Sequence, residues 1–145
     1  MRRALVLVAA SAAVAGCSPG GNDEFAERAS QICEQKRAEV SRIRRPGALI
    51  LFDDYLTKIL PILRRERQQV EALDGAGSGD AERMLVAWND VLDALVDMQQ
   101  GAKAGSDIGI VIPLRRAAAA ERRADEAARA AGADACVGFN PFTQD

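Results

Sequence analysis

Residues 80–98 read DAERMLVAWNDVLDALVDM. Met84, Leu85, Trp88, Val91, Leu92, Leu95 and Met98 recur at steps of three and four, with charged and polar residues between them. That spacing places the apolar side chains on one face of a helix. Asp80 or Ser78 is a suitable cap for its start, and the pattern fades across residues 101–105, which begin and end in glycine. A helix with one long apolar face must bury it against other elements, so the rest of the chain is read for partners.

Upstream, Gly75-Ala76-Gly77-Ser78-Gly79 has the composition of a loop. Before it, Leu49, Phe52, Leu56, Ile59, Leu60, Leu63, Val70 and Leu73 predict a second helical stripe over about 48–73. Pro61 lies inside that stripe, where it removes one backbone hydrogen bond, so a kink is expected over 57–61. Pro46-Gly47 separates this stripe from an earlier one built of Phe25, Ala29, Ile32, Cys33, Lys36, Val40 and Ile43. That first helix is expected to start at Asn22 or Asp23 and run to about Arg45.

Downstream, Leu114, Ala117, Ala118, Glu121, Ala124, Ala128 and Ala131 carry a fourth stripe, closed by Gly132 as a C-cap candidate. Its face is nearly all alanine, which allows close packing. The segment Ile108-Gly109-Ile110-Val111-Ile112 is β-prone, but no partner strand is visible for it. It is expected to be an apolar loop or a kinked first turn, with Pro113 near the first helical position. The fold expected is all-α: a four-helix up-down-up-down bundle, the second helix kinked at Pro61.

The N-terminus reads as an address. Met1-Arg2-Arg3 is basic, residues 4–14 are uncharged and mostly apolar, and small residues precede Cys17. This is the layout of a secretory signal. The apolar run is about half of the ~20 residues that a membrane-spanning helix needs. Val14-Ala15-Gly16-Cys17 resembles the bacterial lipobox. That resemblance implies cleavage between Gly16 and Cys17 and a diacylglyceryl group on Cys17. The implied product carries two or more acyl chains, as stable anchoring requires. The chain is thus divided into a lipoprotein signal peptide (1–16), a lipidated cysteine with a flexible tether (17–22), a helical domain (23–138) and a C-terminal tail (139–145). The tail contains Phe139-Asn140-Pro141-Phe142 and is expected to lie over the domain surface.

With Cys17 assigned to lipid, Cys33 and Cys136 remain. An oxidising compartment favours their pairing, which would join the first helix to the end of the last. The first helix, the alanine-rich last one and the segment Ala131-Gly132-Ala133-Asp134-Ala135-Cys136 together resemble small exported proteins and lipoproteins of actinobacterial type, built as disulfide-clamped helical bundles. The resemblance spans most of residues 23–138 and implies fold and location. It implies no activity. Alanines stand at 131 and 133 where leucines usually flank the glycine.

Composition narrows the chemistry. The chain has 145 residues and no histidine. His-based acid–base catalysis, Ser-His-Asp triads and ordinary zinc sites are thereby excluded. No Gly-x-Ser-x-Gly, Walker or dinucleotide fingerprint occurs. The formal charge of −2, which becomes −4 once Arg2 and Arg3 leave with the signal, gives no footprint for nucleic acid. Asp90, Asp93 and Asp97 share one side of the third helix, and Asp53 and Asp54 open the second; these read as solvated faces. Arg42, Arg44 and Arg45, then Arg64, Arg65 and Arg67, then Arg115, Arg116, Arg122 and Arg123 form basic clusters suited to helix-end compensation and i,i+4 pairing. Trp88 and Tyr55 read first as core residues; with Arg64 and Arg115 they are also the candidate ligand or partner contacts. No catalytic residue, metal or cofactor is expected.

The functional expectation is a non-enzymatic lipoprotein on the extracytoplasmic side of the cell membrane, binding an envelope component or partner protein. The alternative is a carrier of a small molecule or lipid, with an apolar cavity between the helices.

Overall fold

The structure is a computed structural model that describes residues 20–48, 51–77 and 79–142, with side chains from Asp23 onward. The expected signal peptide, the cleavage site at Gly16 and the lipidation site Cys17 lie outside the described residues, as does Ser78. Among the described residues four helices form a bundle: α1 Gly20–Val40, α2 Phe52–Glu71, α3 Gly79–Lys103 and α4 Asp107–Ala130. A 3-10 turn, Asp134–Cys136, follows. Among the described residues there is no strand.

Each helix forms for a local reason and differs somewhat from its expected bounds. α1 begins at Gly20, so the last three residues of the expected tether are helical, and Asp23 complements the dipole in its first turn. It buries Phe25, Ala29, Cys33, Lys36 and Val40 and stops at Val40, not Arg45. A tight turn takes over there, with Ile43 N donating to Val40 O at 2.9 Å. Arg45 precedes Pro46, which disfavours helical geometry. α2 starts at Phe52 rather than Ala48 and contains Pro61. Its buried side chains include Leu56, Ile59, Leu63 and Val70. α3 buries Met84, Trp88, Val91, Leu95 and Met98, the face anticipated from the sequence.

The segment 108–112 is regular helix, which corrects its expected reading as a loop or kinked turn. Ser106 explains the difference. Its backbone is extended, and its hydroxyl accepts from Gly109 N at 3.0 Å, so the helix is capped well before Pro113. Pro113 therefore sits in the helix interior rather than near its first position. It offers no N–H to the Gly109 carbonyl. That carbonyl lies against α3: a Cβ built on Gly101 would stand 2.1 Å from Gly109 O. Two glycines thus let the α3–α4 hairpin close at its turn. Gly105, with φ +64°, supplies the left-handed residue that ends α3.

α4 contributes Ala117, Ala120, Ala124, Ala127 and Ala128 to the core. Such a face brings backbones close but supplies little volume. The C-terminal segment fills the space. Phe139 and Asn140 are fully buried, which corrects the expectation of a surface-lying tail. The Phe139 ring stacks on Trp88 with centroids 4.4 Å apart, an arrangement worth about 0.5–1.5 kcal/mol beyond the area it buries. Phe142 stacks on Phe52 at 5.3 Å and meets Tyr55 edge-on at 5.4 Å. Residues 137–142 are therefore an interior strap. The Cys33–Cys136 disulfide is formed, with Cα atoms 5.1 Å apart, and it fixes the base of the strap to α1.

Candidate functional site

Two features stand out: a buried polar centre under the strap, and a partly apolar surface along α3 and α4. The polar centre has four members, Lys36, Glu66, Glu121 and Asn140. Lys36 projects from the apolar face of α1 and Glu66 from that of α2. Their Nζ and Oε2 atoms are 3.5 Å apart, with both side chains almost wholly out of solvent. Lys36 Nζ also lies 3.4 Å from Gly138 O and 5.4 Å from the centre of the Phe139 ring. Neither carboxylate oxygen of Glu66 makes a hydrogen bond among the described residues, so the two groups meet without a well-aligned donor.

Burial dominates the electrostatics. It pushes the Glu66 carboxyl up to about 8, against the downward pull of the Lys36 ammonium. It pushes Lys36 down from its usual value, against the upward pull of Glu66. A recess of about 70 Å3 between α1 and α2 reaches the pair past Gln35, Glu39 and Arg65.

The rest of the centre holds the strap. Glu121 Oε1 accepts from Asn140 N at 3.0 Å, and Asn140 Oδ1 accepts from Phe142 N at 3.1 Å. Asp125 Oδ1 accepts from Gly138 N at 2.9 Å. Arg37 donates to Ala135 O at 2.9 Å and to Val137 O at 3.2 Å. A segment without regular structure has backbone groups that need partners. Here side chains of α1 and α4 supply them. The geometry describes a latch, in which buried polar groups hold an irregular chain in the core.

The sequence contained signals for this centre. Lys36 and Glu121 interrupt otherwise apolar stripes, and Glu66 sits in the gap between Leu63 and Val70. What periodicity could not supply was which charge meets which.

The residues singled out from sequence are scattered. Trp88 and Tyr55 are 0% and 3% exposed and belong to the core, as the first reading of these two residues expects. Burial raises the Tyr55 hydroxyl. Arg64 and Arg115 are exposed on α2 and α4 respectively. The structure does not bring these four residues together. Two acidic residues of α3 meet arginines of α4: Asp90 lies 2.8 Å from Arg123, and Asp97 lies 2.7 Å from Arg116. Asp53 accepts from Gln99 at 3.0 Å and lies 3.7 Å from Lys103. Arg67 pairs with Glu71 one turn on, and Arg65 with Glu39 across helices. These are partly exposed pairs, worth about 0–1 kcal/mol each. Among the described residues, no group of three or more His, Cys, Asp or Glu side chains is placed to hold a metal ion.

The surface feature has two parts. Near the start of α4, Ile108 is 71%, Ile112 55% and Val111 41% exposed, a ridge of branched side chains in solvent. Near its end, a groove of about 690 Å3 runs between α3 and α4. Val86, Ala87, Ala127 and Ala130 provide its apolar lining; Asp80, Glu82, Arg83, Asp90, Arg123 and Glu126 rim it. Arg83 pairs with Asp80 and Arg123 with Asp90, while Glu82 and Glu126 are in no ion pair among the described residues.

No helix among the described residues is long and apolar enough to cross a membrane. Compared with known proteins, the chain matches no family model, no curated protein and no solved structure.

Proposed function

We propose that this chain is a lipid-anchored extracytoplasmic interaction module without enzymatic activity. A diacylglyceryl group on Cys17 would hold it at the cell membrane, where it would bind an envelope protein or another envelope component. The kinship that fits this reading is with small exported lipoproteins of actinobacterial type. The observation that carries the interaction reading is the ridge of Ile108, Val111 and Ile112, exposed on a helix whose other face is packed shut. A large contiguous apolar surface on a folded domain marks an interaction site.

The same reading takes the helices as alternating in direction, with α2 bent at Pro61. The alternation is supported by contacts at the helix ends. Asp53 near the start of α2 lies against Gln99 and Lys103 near the end of α3, and Gly101 meets Gly109. At the other end Gly132 packs near Ala26. The bend is supported by the N–H that Pro61 lacks.

A carrier of a small molecule is the second reading. The α3–α4 groove favours it by volume, about 690 Å3. Its charged rim and open form fit a protein surface better than an enclosed lipid.

Crosslinking in intact cells, followed by mass spectrometry, tests the proposal. The expected result is a diacylated Cys17 at the mature N-terminus and crosslinks from residues 108–116 to an envelope partner. A Met1 start, or crosslinks that never involve α4, would sink it.

A further inference from the structure

Of the five large apolar side chains most exposed among the described residues, four lie at one end of the bundle. Ile108, Val111 and Ile112 stand at the start of α4 and Leu51 at the start of α2; Val86 is the exception. Contacts bring these starts together. Asp53 of α2 lies 3.7 Å from Lys103 at the end of α3, and a Cβ on Gly101 of α3 would meet the Gly109 carbonyl of α4. The α1–α2 turn joins them, because Arg44 and Arg45 line one recess with Leu51 and Lys58. We propose that this end docks on an anionic phospholipid bilayer, the ridge of α4 entering the interface and the cations meeting lipid phosphates. The proposal rests on the interaction reading and names its envelope component as the lipid surface itself.

Charge favours that occupant. Residues 41–58 and 97–116 carry seven basic and four acidic side chains, whereas the rest of the chain from residue 17 carries ten and seventeen. The molecule is polarised, and an anionic surface turns the basic end toward itself. Arg42, Arg44, Arg45, Lys58 and Arg115 are exposed there and in no ion pair among the described residues. Of the four acids, Asp53 is paired with Lys103 and Asp97 with Arg116, which leaves Asp54 and Asp107. Free cations beside exposed aliphatic side chains combine attraction to anionic headgroups with insertion between them.

The recess between the α1–α2 turn and α2 is where a headgroup fits. It holds about 180 Å3 and is lined by Arg44, Arg45, Lys58 and Tyr55, with Asp54 as its one acid. Tyr55 is 3% exposed, and its hydroxyl has no hydrogen-bond partner among the described residues. Burial raises that hydroxyl, and the Arg45 charge pulls it back down. A phosphate oxygen is the acceptor that such a donor lacks.

The anchor expected at Cys17 enters at the other end of α1, which rises about 31 Å over its length. Gly132 packs near Ala26, so the end of α4 lies beside the first turns of α1. A bundle lying along the bilayer on the side of α1 and α4 meets it at both ends, through acyl chains at one and through the ridge at the other.

The test is co-sedimentation of the oxidised chain from residue 17, carrying Cys17→Ser to remove the anchor, with vesicles of phosphatidylcholine alone or mixed with phosphatidylglycerol. The parent should bind the mixed vesicles and lose binding as salt is raised. Arg44→Ala with Arg45→Ala should weaken binding about thirtyfold. Ile108→Ser with Ile112→Ser should weaken it on the order of a hundredfold, with an unchanged melting curve because both side chains are exposed. Arg64→Ala, about 18 Å along α2 from its start, should bind like the parent. No binding to the mixed vesicles, or a loss with Arg64→Ala equal to that of the arginine pair, overturns the docking. No vesicle binding together with crosslinks in cells from residues 108–116 to an envelope protein overturns the lipid surface and leaves the interaction reading standing. Absence of both ends both.

Discussion

The α1 side of the molecule and the α3–α4 hairpin are held by different physics. On the α1 side, α1, α2 and the base of the strap meet through a disulfide, a buried Lys36–Glu66 pair and Arg37, which donates to irregular backbone. Among the described residues, the hairpin has neither a disulfide nor a buried ion pair between its two helices, although Glu121 and Asp125 of α4 hold the strap. It closes through apolar stripes and the contact between Gly101 and Gly109, and it leaves branched side chains in water. The contrast separates the two tasks. Long-range ties are concentrated where the chain ends must be brought together, because closing a long loop has an entropic cost that local contacts cannot offset. The hairpin is local in sequence, so its closure needs no long-range tie.

Removing the long-range tie should have the largest effect. Cys33→Ser opens a loop of sequence separation 103. In the chain-entropy treatment, a loop of that size contributes about 4.7 kcal/mol. A denaturant titration of oxidised Cys33→Ser should show a loss approaching that figure, and reduction of the parent should reproduce it. Equal midpoints would remove the disulfide from the stability of the fold.

Next comes the buried pair. Above about pH 8, where Glu66 is ionised, Lys36→Met leaves it buried without its cation and should destabilise by about 3–5 kcal/mol, while Lys36→Met with Glu66→Leu should recover most of the loss. The pair also sets a pH dependence. Glu66 is raised in the fold above its unfolded value, so its contribution is fully present below about pH 4.5 and is lost as pH rises through about 8. Lys36, held down by burial, acts in the opposite sense: its contribution is present above the ordinary 10.5 and is lost as pH falls toward its folded value. Facing the pair are Arg37, Glu121, Glu39 and Arg65. Thermal melts between pH 5 and 8 should show a declining contribution in the parent that Glu66→Gln abolishes. An unchanged slope in that variant would assign the pH dependence elsewhere.

The smallest effect belongs to the hairpin. Gly101→Ala places a methyl where the Gly109 carbonyl already stands. The helices must part, at about 1–3 kcal/mol for an overpacked contact. Gly47→Ala, with open space around it, serves as the control. If both substitutions were equally mild, the glycine contact would have no claim on the packing.

Much of the fold was legible in the sequence, and the limits are informative. The stripe Met84, Leu85, Trp88, Val91, Leu92, Leu95 and Met98 marked α3 because a long apolar face leaves the same trace whatever it packs against. The cysteine pairing was legible because only two thiols remained once Cys17 was assigned to lipid. Residues 108–112 were misread because β-branched composition outweighed a cap that one hydroxyl provides at Ser106. The strap was missed because Phe139-Asn140-Pro141-Phe142 has no period, and its burial depends on the space that the α4 alanines leave beside Trp88.

The amino-acid order alone determined the four helical stripes, the thiols available for pairing and the absence of histidine chemistry. These follow from local periodicity, residue counts and side-chain chemistry. Only the tertiary structure decided that Lys36 faces Glu66, that Phe139 enters the core and that Ile108 and Ile112 stay in solvent. Each depends on which faces of distant segments meet, and no local pattern encodes the distance between two side chains on different helices.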